Sequence, residues 1–108
     1  MKSIIRYLLT SSLLVMFFTY PALAKKKQTQ NIEFGAITCE EFIQVVAASD
    51  EDSIGIVFMW LVGYLSGVSG DTRLSWKNLE HFSAKLMNGC AKKPQTKVLD
   101  VAKAVGIR

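Results

Sequence analysis

Few side chains in this sequence have the type and spacing for chemistry. His81 is the only histidine, and Glu80 is its only near acidic neighbour. A metal site needs three or four His, Cys or carboxylate ligands, so one imidazole cannot supply it. Glu40 and Glu41 are a carboxylate pair, but adjacent helical residues diverge by about 100°, so they cannot flank one substrate atom and fit better as charges at a helix start. No Cys-His pair, no Ser-His-Asp set and no phosphate-binding Gly-Lys loop is present. We therefore expect no enzyme, no cofactor and no metal. What remains is Cys39 and Cys90, the only two cysteines.

Their redox state depends on compartment, and the N-terminus indicates one. Lys2 and Arg6 precede an uncharged run from Tyr7 to Tyr20, then Pro21 and Ala22-Leu23-Ala24. Basic, apolar, then small-x-small is the order of a secretory signal peptide, so residues 1–24 should be cleaved after Ala24. The apolar core is short of the roughly 20 residues that a membrane anchor needs. No twin-Arg pair precedes it, which points to the general secretory route into the periplasm. The remaining domain is small and gains little margin from its core alone. In an oxidising compartment a disulfide between Cys39 and Cys90 would close a long loop and contribute about 4 kcal/mol on the chain-entropy model. Two unpaired buried thiols are the alternative.

The formal charge of +4 comes in part from Lys2 and Arg6 of the signal segment. From residue 25 onward there are 11 Lys or Arg and 9 Asp or Glu, and three of the positives are Lys25, Lys26 and Lys27. Beyond that cluster the domain is close to neutral, so basicity is no argument for nucleic-acid binding. At low pH the balance changes. With carboxylates titrating near 4 and His81 protonated, the mature chain approaches a charge of about +12 around pH 2 and should repel itself strongly.

Residues 25–36 (KKKQTQNIEFGA) are polar and aperiodic and read as a flexible polar leader. Thr38 and Glu41 then have the spacing of a capping box, opening a helix with Cys39, Phe42, Ile43 and Val46 on one face. Ser49–Ser53 is a charged turn with another N-cap. It opens onto residues 54–68, where no charge occurs between Asp52 and Asp71. Ile54, Phe58, Leu61 and Leu65 lie on one line of that helix, with Val57, Trp60 and Tyr64 beside it. A helix apolar all round must be buried on most sides. The domain has too little protein to cover it, so a second copy should bury part of it. The rival reading is a central helix wrapped by the others. Four Gly and three Ser among the 18 uncharged residues between Asp52 and Asp71 argue against stable membrane insertion. Gly67–Leu74 reads as a loop. A third helix from about Ser75 aligns Trp76, Leu79, Phe82, Leu86 and Cys90, and it ends before Pro94. A fourth, about Gln95–Val105, buries Val98, Leu99, Val101, Ala102 and Val105. The fold class expected is all-α: a single bundle of about four helices closed by one disulfide.

Three segments carry a resemblance. Ile37-Thr38-Cys39-Glu40-Glu41-Phe42, the WLVGYLSG of residues 60–67, and Cys90-Ala91-Lys92-Lys93-Pro94 followed by an apolar helix together resemble the HdeA/HdeB acid-stress chaperones of the bacterial periplasm, making residues 37–108 an HdeA/HdeB-like domain. The resemblance implies a homodimer near neutral pH that dissociates in acid, exposes apolar surface, holds unfolded periplasmic client proteins soluble and releases them as pH rises. By position, Cys39 and Cys90 match the family's disulfide pair. Ile54, Val57, Phe58, Trp60, Leu61, Tyr64 and Leu65 match the region used for dimer contacts and client binding. The sequence departs from the pattern in reaching Val105-Gly106-Ile107-Arg108 without a lysine-rich tail. An alternative of another class is a periplasmic immunity protein, similar to those that inhibit amidase toxins delivered by type VI secretion.

Overall fold

The computed structural model describes residues 25–108, so the expected signal peptide lies outside the described residues. Four helices follow in chain order: α1 Cys39–Ala48, α2 Glu51–Ser69, α3 Trp76–Lys92 and α4 Val98–Val105. Among the described residues there is no β-strand, only two isolated bridges, Lys26 with Ser49 and Thr38 with Lys97. The all-α expectation holds.

Local chemistry sets the helix ends. Thr38 caps α1 and completes the capping box: the Glu41 N–H donates to Thr38 Oγ1 at 3.3 Å, and the Thr38 N–H donates to Glu41 Oε1 at 3.3 Å. Asp50 caps α2 by accepting from the Ser53 N–H at 2.8 Å. Glu51 and Asp52 add negative charge at the positive end of the helix. Gly70 ends α2 in the left-handed region at φ 75, which a residue with a Cβ rarely adopts. Ser75 caps α3. Helix α4 starts three residues later than its apolar pattern suggests, because the preceding backbone is used elsewhere. The Cys39 N–H donates to the Thr96 carbonyl at 2.8 Å, and the Val98 N–H donates to that of Ile37 at 3.1 Å. These bonds tie the start of α1 to the start of α4.

The core is one cluster. Cys39 and Phe42 of α1, Phe82, Leu86 and Cys90 of α3, and Val98 and Ala102 of α4 are almost wholly enclosed, and Leu61 of α2 joins them. Helices α3 and α4 approach closely at Gly89, where an added Cβ would meet Val101 Cγ1 at 2.9 Å. Cys39 and Cys90 form a disulfide with Cα atoms 4.8 Å apart, so the reading with free thiols is discarded. Two helices whose starts lie far apart in sequence are thus joined through the middle of the core.

The segment expected to be a flexible leader makes specific contacts with this framework. The Lys26 N–H donates to the Ala48 carbonyl at 3.3 Å, and the Asp50 N–H returns a bond to the Lys26 carbonyl at 3.0 Å. Further on, Phe34 is buried. The polar composition of residues 25–36 concealed two apolar residues, Ile32 and Phe34, which pack on or in the core.

Candidate functional site

The candidate site is α2 and what lies on it. Its residues divide between two faces. Val57, Phe58, Leu61, Val62 and Leu65 point into the core, with Phe58 edge-on to Phe42 of α1 at a centroid distance of 5.8 Å. The opposite face carries Ile56 (69% exposed), Met59 (40%) and Trp60 (47%), while Val68 (67%) stands on the line of Leu61 and Leu65 at the end of the helix, beyond the core. Among the described residues, those are most of the large apolar side chains left in solvent. Trp76 of α3, 71% exposed, is another.

The outer face continues across α3. Ile56, Met59, Trp60, Trp76 and Leu79, with Gly55 between, line an open trough of about 740 Å³, and Glu51 and Asp52 stand at one end of it. The apolar stripe of α3 is buried from Phe82 onward, and at Leu79 and Trp76 it runs off the core onto this surface. A row of aromatic rings crosses the same helix. Phe34 stacks on Trp60 at 4.3 Å with planes 14° apart, and Trp60 lies parallel to Tyr64 at 5.6 Å. Lys103 Nζ of α4 sits 5.9 Å from the centre of the Tyr64 ring, a cation–π arrangement.

The seven residues expected to form one binding surface are therefore not on one surface. Val57, Phe58, Leu61 and Leu65 are inside, Ile54 and Tyr64 are half-buried, and Trp60 alone belongs to the exposed face. Ile56, Met59 and Trp76 were missed. A helix apolar on all sides gives no periodic signal to separate inner from outer, and only the packing of the other elements against it decides. Trp76 had such a signal, since its stripe begins before the buried part of α3.

Electrostatics are sparse. The Asp50 carboxyl is held below its ordinary value through hydrogen bonds from the Ser53 side chain and backbone N–H, with a smaller attraction from Lys27. Arg108 pairs with Asp71 at 3.6 Å, fastening the C-terminal residues to the loop after α2. His81 is exposed on α3. Among the described residues no group of three or more His, Cys, Asp or Glu is arranged to hold a metal ion.

A family model describing the HdeA/HdeB family matches residues 7–100. The chain belongs to the HdeA/HdeB family. Searches of curated proteins and of solved structures found no match. HdeA/HdeB proteins are chaperones of acid stress in the periplasm rather than enzymes. In this HdeA/HdeB chain the candidate surface is accordingly a broad apolar face and not an enclosed pocket. By length and a mean hydropathy of 1.4, α2 could cross a membrane. Its inner face is instead committed to the core, and its first turn is capped by Asp50 and carries Glu51 and Asp52.

Proposed function

We propose that this protein is a periplasmic holdase switched on by acid: a homodimer near neutral pH that separates and loosens at low pH, then covers the apolar segments of unfolding client proteins with its own apolar helix. The observation that carries this reading is the division of α2. Its outer face is too apolar to stand in water by preference and suits a second copy. Its inner face is held by a small core, and that core depends on a chain whose charge becomes one-sided in acid. Protonating the carboxylates removes the negative charges at the starts of α1 and α2 while every Lys and Arg keeps its charge, so copies repel and each loosens. The charged remainder then keeps the complex with client in solution. Family membership favours this reading over an inhibitor of a folded enzyme.

The test is suppression of aggregation. The purified protein from residue 25 onward should keep an acid-sensitive client soluble at pH 2 to 4 and have no such effect at pH 7. Aggregation unchanged at every acid pH, or tight one-to-one binding of a folded enzyme at pH 7 with no response to acid, would refute it.

A further inference from the structure

The leader lies on the N-terminal half of α2 and is held there at three places. At its start, Lys26 exchanges backbone hydrogen bonds with Ala48 and Asp50. Next, the Gln28 N–H donates to Ser53 Oγ at 3.0 Å, a bond between residues 25 apart in sequence. At its end, a turn aims Phe34 at the helix: the Ala36 and Ile37 N–H groups donate to the Glu33 carbonyl at 2.9 and 3.2 Å, and the Gly35 N–H donates to Glu33 Oε1 at 3.3 Å. Phe34 thereby covers one face of Trp60 and is only 7% exposed. Between these anchors the leader roofs a small apolar space of about 280 Å³ over Ile56, Val57 and Trp60. Gln28, Gln30 and Ser53 supply its polar side, and Ile32 and Phe34 join those three in the larger apolar one, which an apolar side chain from another chain would suit.

We propose that residues 26–34 are a built-in competitor for this part of α2, a strap whose Phe34 and Ile32 stand in for the aromatic or branched side chains of an unfolded polypeptide. The proposal rests on the holdase reading and adds a step to it: the strap must leave before this half of the helix can take a client. The strap contributes no covalent bond and few core residues, so it is the cheapest part of the fold to detach. Its central anchor, Ser53, is also the donor to the Asp50 carboxylate. Asp50 faces Lys27 of the strap and stands beside Glu51 and Asp52 of α2. A proton on Asp50 weakens the cap and removes the charge that attracts Lys27, so anchor and cap loosen together.

Full mature chains carrying W76F leave Trp60 as the single reporter, and F34A, F34Y and Q28P are compared in that background. Loss of the stack should raise the population of the open strap about tenfold. At pH 7, F34A should bind correspondingly more hydrophobic dye at subsaturating concentration, shift Trp60 emission to the red, and begin to suppress client aggregation at a higher pH than the parent. F34Y keeps a ring on Trp60 and should restore the parental behaviour. Q28P removes the donor to Ser53 without altering the core and should act like F34A, which decides the matter if F34A fails to fold. Parental dye binding and emission in Q28P and in any folded F34A would overturn the strap. A parent that holds no client at any pH would refute the holdase reading, yet dye and emission would still report whether the strap opens.

Discussion

At the scale of single residues, Asp50 joins three parts of the molecule: the end of α1, the cap of α2 and the bonds to the leader. Its carboxyl is held below its ordinary value of 3.8 by the Ser53 side chain and N–H. The sign follows from linkage. A group whose folded-state pKa is depressed stabilises the fold when ionised, so the contribution is complete above the unfolded value and is lost as pH falls through the lower folded one. Asp50→Asn keeps a good capping side chain but carries no charge at any pH. The variant should therefore unfold at lower urea than the parent at pH 7, and the gap between their midpoints should close below the ordinary carboxylate range. A gap that stays constant with pH would mean that the charge of Asp50 contributes nothing. The capping role was readable in the sequence, because SDEDS before an apolar run is a helix-start signal. The tie to Gln28 was not, since nothing in a polar leader indicates which of its N–H groups meets a serine 25 residues on.

At the scale of elements, the proposed function rests on α2. Its neighbours leave Ile56, Met59 and Trp60 largely in solvent, and a second copy that covers them would bury an apolar area with Trp76 at its edge. Ile56 is the most exposed of the three on this face of α2, so Ile56→Lys should leave the thermal midpoint of a dilute sample nearly unchanged. The same change places a desolvated ammonium at the contact, and the dimer dissociation constant at pH 7, read by sedimentation, should rise tenfold or more, about the cost of losing a central apolar anchor. An unchanged dissociation constant would move the interface off this face. Helix number, the Thr38 and Glu41 box, the stop before Pro94 and the inward direction of both cysteines were legible because each has a local cause. The late start of α4 was not, because the Thr96 carbonyl accepts from the Cys39 N–H and the Val98 N–H donates to the Ile37 carbonyl. The orientation of α2 was hidden for a different reason: an all-apolar helix has no face that sequence can name.

At the scale of the whole molecule, one covalent link and a thin core set how far the fold can open. The disulfide joins the first turn of α1 to the last of α3, and its loop closure contributes about 4 kcal/mol. Charge repulsion in acid acts against the core but cannot separate these two helices. On this account α2 and the leader are released while α1 and α3 stay linked, which limits expansion and leaves a short path back when pH rises. The ion pair of Arg108 with Asp71 is largely exposed and adds little to either state.

The most direct test of this account is one titration of the mature protein from pH 7 to pH 2, recording mass by light scattering and bound hydrophobic dye on the same samples. The account predicts dimer mass with little dye at pH 7, then a fall to monomer mass together with a rise in dye as the carboxylates protonate, both reversed on return to pH 7. A mass and a dye signal that stay constant across the whole range would contradict it.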